Sequence, residues 1–167
     1  MIIRPRSEAD GAALEGIAEA THRLDGYPKY LPDDLRSFIL EANALRAWVA
    51  ECDGEIAGHV ALHPRSIPEV MEVAVSATGL SENQLVVLAR LLVSPVARRL
   101  GVGRALVGHA TLEARRLGLR AVLDVVDEHR DAVALYEHLG WTRAGTVNWK
   151  LPDGRPFREF VYISPEP

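Results

Sequence analysis

Apolar residues change their spacing several times along the 167-residue chain, and each change marks an element. Met1–Arg4 reads as a short strand that Pro5 closes. Ser7-Glu8-Ala9-Asp10 has the form of a capping box, and Leu14, Ile17 and Ala18 follow at helical spacing. Leu24–Pro32, with Gly26, Pro28 and Pro32, is expected to be irregular. Asp33 or Asp34 then caps a second helix whose apolar side includes Leu35, Phe38 and Ile39. Ala47–Ala50 and Ile56–Leu62 flank Asp53-Gly54, a favoured two-residue hairpin turn.

Pro68 suits the first turn of a helix running through Met71 to about Ala77, with Gly79 as its stop. Leu85–Val93 is rich in Val and Leu, as a strand buried on both faces would be. Leu106, Ala110, Ala114 and Leu117 have helical spacing within Val102–Leu117, and Gly118 supplies a C-cap. Ala121–Val126 is a second buried strand, and Asp131–Leu139 a short helix ended by Gly140. Thr146–Leu151 and Phe157–Ile163 form a hairpin around Pro152-Asp153-Gly154-Arg155. Two hairpins framing one strand–helix–strand crossover predict a mixed α/β fold with a largely antiparallel sheet.

Composition narrows the class. The chain is 48% hydrophobic and 25% charged, normal for a globular protein of one domain, with no repeat or linker-like tract. No apolar run approaches a membrane span, and the N-terminus lacks the form of a signal peptide, so the expected address is cytoplasmic. The single cysteine, Cys52, rules out a disulfide framework and reads as a buried small hydrophobe. The histidines have no metal-ligand spacing, and no metal is expected. A net charge of −4 argues against nucleic acid. Yet Arg90, Arg98, Arg99 and Arg104 fall close together, which suits a small polyanion.

The informative stretch is Leu91-Leu92-Val93-Ser94-Pro95-Val96-Ala97-Arg98-Arg99-Leu100-Gly101-Val102-Gly103-Arg104-Ala105-Leu106. A buried strand stops at Pro95, a turn follows, and two glycines open a long helix. Glycine lets a ligand approach the main chain, and the first free N–H groups of a helix attract an anion. Arg98, Arg99 and Arg104 add positive charge, so a pyrophosphate is the natural guest. A dinucleotide-binding turn competes, with Asp124 as its ribose ligand. Leu106 in the third glycine position, the long run Ser94–Leu100 before the first glycine, and the flanking hairpins all count against it.

Val93-x-Pro95-x-x-Arg98-x-x-Gly101-x-Gly103 resembles motif A of the GNAT acetyltransferase superfamily, and Asp131-Ala132-Val133-Ala134-Leu135-Tyr136-Glu137-His138-Leu139-Gly140-Trp141 is similar to its motif B. The order and interval also match, with motif A spanning about 85–118 and motif B about 121–145 of a single domain, 1–167. The resemblance implies a GNAT fold: a central, largely antiparallel mixed sheet of six to seven strands with four to five helices, whose splayed parallel pair binds CoA.

It further implies an N-acetyltransferase that moves the acetyl group of acetyl-CoA to an amine by direct attack. The pantetheine arm would bond to Leu91, Leu92 and Val93. The pyrophosphate would rest on Arg98, Arg99, Leu100, Gly101, Val102, Gly103, Arg104 and Ala105. Tyr136 becomes the general acid for the leaving thiolate, although packing alone is an ordinary role for a tyrosine on such a helix. His129 stands where motif B often has Asn, and would contact the donor or cap the helix.

The strand carboxylate that often serves relatives as base is absent from Val86-Val87-Leu88. Glu69, Glu72, Glu82 and His63 are near only in sequence, so the base stays unassigned. Pro64–Gln84 is longer than the family's usual turn, and its helix is expected beside the acceptor pocket or against a second subunit. For the acceptor, Tyr27, Tyr30 and Asp33 combine aromatic walls with a charge for an ammonium, while capping and packing explain the same residues equally well. Trp149 and His63 read more as packing and surface. The tail hairpin offers an edge strand through which a homodimer would form. The competing class is an acyl-CoA-binding regulatory module with little transferase activity.

Overall fold

The computed structural model describes residues 1–28, 32–150 and 154–166. Among these, the elements run β1 (Ile2–Pro5), α1 (Gly11–Asp25), α2 (Leu35–Ile39), β2 (Arg46–Cys52), β3 (Glu55–His63), α3 (Pro68–Thr78), β4 (Leu85–Val93), α4 (Val102–Arg116), β5 (Arg120–Val126), α5 (Arg130–His138), β6 (Thr142–Lys150) and β7 (Pro156–Ile163). Short 3-10 turns cover Glu8–Asp10, Glu82–Gln84 and Pro95–Ala97. The seven strands are ordered β1-β2-β3-β4-β5-β7-β6. β4 and β5 are parallel, while β1–β2, β2–β3, β5–β7 and β6–β7 are antiparallel. The predicted mixed, largely antiparallel α/β architecture is therefore the one observed. No helix among the described residues is long and apolar enough to cross a membrane.

The chain forms two compact units, Met1–Leu62 with Ala89–Ala110, and His63–Leu88 with Thr111–Pro167. In the first, the Ser7 N–H donates to Asp10 Oδ2 at 2.7 Å, the turn expected before α1. Arg4 grips the same carboxylate at 2.8 Å and holds Asp10 down at about 2, well below the ordinary range. α1 runs further than expected. Leu24 and Asp25 are helical, and Gly26 ends the helix with a left-handed φ of 71°. Asp34, not Asp33, caps α2, accepting the Ser37 N–H at 2.9 Å. The apolar sides of both helices meet in a cluster of Leu14, Ile17, Ala18, Ile39, Val49 and Leu92.

β4 is not a smooth strand. Arg90 has a φ of 56°, a left-handed conformation that costs a non-glycine residue about 1 kcal/mol. The kink is clamped from both ends of the residue. Its carbonyl lies 2.8 Å from Nδ1 of the fully buried His59, and its guanidinium sits 3.6 Å over the Phe38 ring and 3.2 Å from Glu41. An Arg6 N–H faces His59 Nε2 at 3.3 Å. Arginine can only donate, so Nε2 accepts and Nδ1–H points at the Arg90 carbonyl. His59, read from the sequence only as lacking metal-ligand spacing, is thus a strand clamp.

In the second unit, α3 forms as expected from Pro68, and Gly79 stops it at a φ of 68°. Val70 packs with Val147 and Val161, flanked by Ile67, Val73, Ala144 and Trp149, so α3 covers one face of the β6–β7 hairpin. β6 starts at Thr142, four residues before the expected Thr146 and directly after Trp141. The apolar alternation is broken there by a register shift between Arg143 and Gly145, which hid the strand. The turn residues Pro152 and Asp153 lie outside the described residues. Cys52, expected buried, is only half-buried, and His63, expected at the surface, is buried.

Candidate functional site

Each unit carries its own set of groups. In the first, the chain leaving β4 is tied down where the Ser94 N–H donates to the Ala57 carbonyl at 2.9 Å. Leu92 is buried while Leu91 and Val93 are half-buried, so this end of the strand, expected to be buried on both faces, keeps one side partly open. The 3-10 turn follows, and then the backbone turns left-handed twice, at Arg99 (φ 63°) and Gly101 (φ 82°). Valine or leucine would resist such angles; glycine does not, and a strained arginine beside it is the kind of outlier found at binding turns.

α4 then begins, with the Ala105 N–H donating to the Gly101 carbonyl at 2.9 Å. Val102 and Leu106 are buried and anchor its first turn, whereas Arg99, Leu100, Gly101 and Arg104 are exposed, and Arg98, Gly103 and Ala105 half-buried. A Cβ built on Gly101 would meet no atom within 4 Å. The turn thus presents open main chain at a helix N-terminus ringed by arginines, and the predicted residues are assembled on it. This fits a pyrophosphate.

Arg98 is not idle there. Its guanidinium donates to Asp25 Oδ2 at 2.6 Å. Asp25 ends α1, where the helix dipole disfavours a carboxylate. A donor phosphate must share or take Arg98 from Asp25. Asp25→Asn should therefore bind CoA more tightly, by about 1.5- to 5-fold, the scale of an exposed ion pair. Calorimetric titration of CoA into both proteins checks this.

The acceptor-side expectations fare unevenly. Tyr27 is half-buried against the cluster that contains Leu92, so packing accounts for its ring. Asp33 is exposed beside the cap of α2. Tyr30 lies outside the described residues.

In the second unit, Tyr136 is buried on α5, its ring centroid 5.9 Å from Trp141 and 6.2 Å from Tyr162. Its own carbonyl accepts the Trp141 N–H at 3.0 Å, tying motif B into a closed turn. The Tyr162 hydroxyl donates to Glu137 at 2.8 Å, and burial with that carboxylate pushes the phenol up to about 12. His129 occupies the N-cap of α5, but its side chain makes no capping bond.

Two carboxylates that the sequence did not single out for catalysis stand on the opposite face. Asp124 pairs across the sheet with Val161, and Val126 with Glu159, which in turn faces Val147. Paired residues share a face and neighbours alternate. Asp124 and Glu159 thus lie on the face that α3 covers, and Tyr162, with Tyr136 behind it, on the other. The Ser66 hydroxyl, just before α3, donates to Asp124 at 3.2 Å. Burial and the Asp124 charge push the Glu159 carboxyl up to about 7, against a smaller opposing effect of Trp149.

The acetyltransferase (GNAT) family model matches residues 13–141. A mycothiol acetyltransferase of Thermomonospora curvata is 33% identical over 143 residues, covering 83% of this chain and 41% of that one. The chain spans less than half the length of the curated relatives it matches. Among solved structures, the ribosomal-protein-alanine N-acetyltransferase of Brucella melitensis superposes with a TM-score of 0.75 at 23% identity, over 98% of this chain and 99% of that one. The protein yncA of Salmonella typhimurium, solved with acetyl-CoA as its cofactor, gives 0.73 at 23% identity over 97% and 91%. These two likenesses concern the fold.

Proposed function

Because the chain belongs to the GNAT acetyltransferase family, we propose that it transfers the acetyl group of acetyl-CoA directly to an amine. The observation that carries this reading is the turn Arg98–Gly103, whose two left-handed residues open exposed main chain onto α4 among three arginines. The pyrophosphate rests on that turn, with Arg98, Arg99 and Arg104 as counter-charges. The half-buried end of β4 at Leu91–Val93 bonds to the pantetheine arm as a strand would. His129, which stands where motif B often has Asn, is the residue at the N-cap of α5 assigned to contact the donor.

Tyr136 acts as general acid. Its hydroxyl donates a proton to the sulfur as the C–S bond breaks, so that a thiol leaves rather than a thiolate. The kinship with a mycothiol acetyltransferase favours acetyl transfer as the reaction and leaves the amine to be found by experiment.

The test is thiol release from acetyl-CoA across a panel of primary amines, with the acetylated product weighed by mass spectrometry. Panel members should include an alanyl peptide, a cysteinyl amine and free lysine. Equimolar thiol and acetyl-amine is the expected result. Tight CoA binding with no product from any amine would replace the enzyme by an acyl-CoA-binding module.

A further inference from the structure

We infer that His59 is a positioning residue for the acyl donor: it holds the left-handed bend of β4 at Arg90, and through that bend it sets the segment Leu91–Val93 that takes the pantetheine arm. The inference rests on the acetyl-CoA reading and deepens it. The clamp lies wholly within the first compact unit.

The bend divides β4 into stretches of different character. Leu85–Leu88 are all buried, whereas beyond Arg90 burial alternates, with Leu91 and Val93 half-buried around buried Leu92. A left-handed residue inside a strand bends it and re-aims the groups that follow. Arg90 has a φ of 56°, so the orientation of Leu91–Val93 depends on keeping that residue in a conformation it resists.

β3 fixes the segment at both ends. Beyond it, the Ser94 N–H donates to the Ala57 carbonyl at 2.9 Å. Before it, the Arg90 carbonyl takes a side-chain donor, the Nδ1–H of fully buried His59 at 2.8 Å. Arg6, 3.3 Å from Nε2, keeps the imidazole in the form that can donate there.

The same Arg6 donates to the carbonyls of Ile39 and Leu40 at 2.7 and 3.2 Å, and Arg90 to that of Phe38 at 3.3 Å. Two arginines thus cover three successive carbonyls at the end of α2, where the helix dipole favours cations. One governs the bend through His59 and the other through its own side chain, which also meets Glu41 at 3.2 Å and the Phe38 ring. Strained backbone persists where its surroundings over-determine it. Here they do so beside the strand segment that the acyl donor uses.

Calorimetric titration of the whole chain with two probes tests this. One is CoA. The other is phosphoadenosine diphosphate, the nucleotide half of CoA, which reaches the turn Arg98–Arg104 and has no arm. His59→Leu should weaken CoA about 10-fold, the scale of a buried acceptor left without its donor, and leave the nucleotide unchanged. His59→Asn, whose amide can donate from near the place of Nδ1, should recover most of that loss. Two variants at position 90 report independently, even if His59→Leu fails to fold. Both lose the guanidinium, but glycine accepts the bend and valine resists it. Arg90→Val should therefore lose CoA affinity, and Arg90→Gly should keep it.

Equal weakening of both probes by His59→Leu, or of neither, overturns the inference. So does equal CoA affinity in the two Arg90 variants. A wild-type protein that binds neither probe overturns the acetyl-CoA reading itself. One that binds CoA no tighter than the nucleotide overturns the role of Leu91–Val93, and of the clamp with it, while leaving the phosphate cradle.

Discussion

Replacing Tyr136 by phenylalanine should lower kcat about 100-fold or more and leave the affinity for acetyl-CoA unchanged. The change removes one oxygen from a ring that is already buried among Trp141 and Tyr162, so packing is preserved. On the proposed role, what goes is the proton for the departing sulfur, and general acid catalysis is worth about 10²- to 10⁴-fold. Stopped-flow thiol release under saturating acetyl-CoA measures it. The loss should shrink with acyl donors whose thiol leaves more easily, since a better leaving group needs its proton less. Equal turnover of the two proteins would reduce Tyr136 to packing, and Tyr162, whose phenol is tied to Glu137, would not inherit the role.

Gly58→Val should be the most damaging single substitution in the donor half. A Cβ at this position would lie 2.7 Å from the Leu92 carbonyl, 2.9 Å from Leu106 and 3.0 Å from Val102. The first is backbone, and it belongs to the strand segment expected to hold the pantetheine arm. The other two are the buried residues that anchor the first turn of α4. Something rigid must move, at a cost of about 1–3 kcal/mol for overpacking. Urea unfolding should show that loss, and CoA affinity should fall with it because strand and cradle are both displaced. Affinity retained in a destabilised variant would mean that the donor does not depend on Leu92. Gly101→Ala makes a useful contrast: no atom opposes its Cβ, and its penalty is confined to the left-handed backbone.

Much of this was legible in the chain. Helix stops at Gly79, Gly118 and Gly140 and the Asp53-Gly54 hairpin depend on neighbours a few residues away, and glycine announces them. The cradle was equally local, since a Pro, two glycines and three arginines fall within one turn. The rest was not local. α1 ran past the point where its apolar spacing faded, because the Gly26 cap and the Arg98 pair hold its last residues. The clamp on Arg90 joins Arg6, Phe38, Glu41 and His59, which the sequence scatters. Glu159 gave no sign, for a glutamate in an edge hairpin looks like solvent-facing alternation. Asp124 did give one. An acidic residue inside Ala121–Val126, otherwise wholly apolar, stands out, and the sequence accounted for it only in the dinucleotide reading that it set aside.

The Asp25–Arg98 pair has a further consequence for how the protein behaves in different salts. Capture of a phosphate by an unpaired arginine weakens as ionic strength rises, because mobile ions screen the attraction. Arg98 starts with a carboxylate already against it, so exchanging that partner for a phosphate changes its charge balance little. Screening then acts on both sides of the exchange and nearly cancels. The sensitivity of donor capture to salt should come mainly from Arg99 and Arg104, and an asparagine at position 25 would restore the missing share. The carboxylate at the end of α1 acts as a built-in counter-ion, trading some affinity for constancy across ionic conditions.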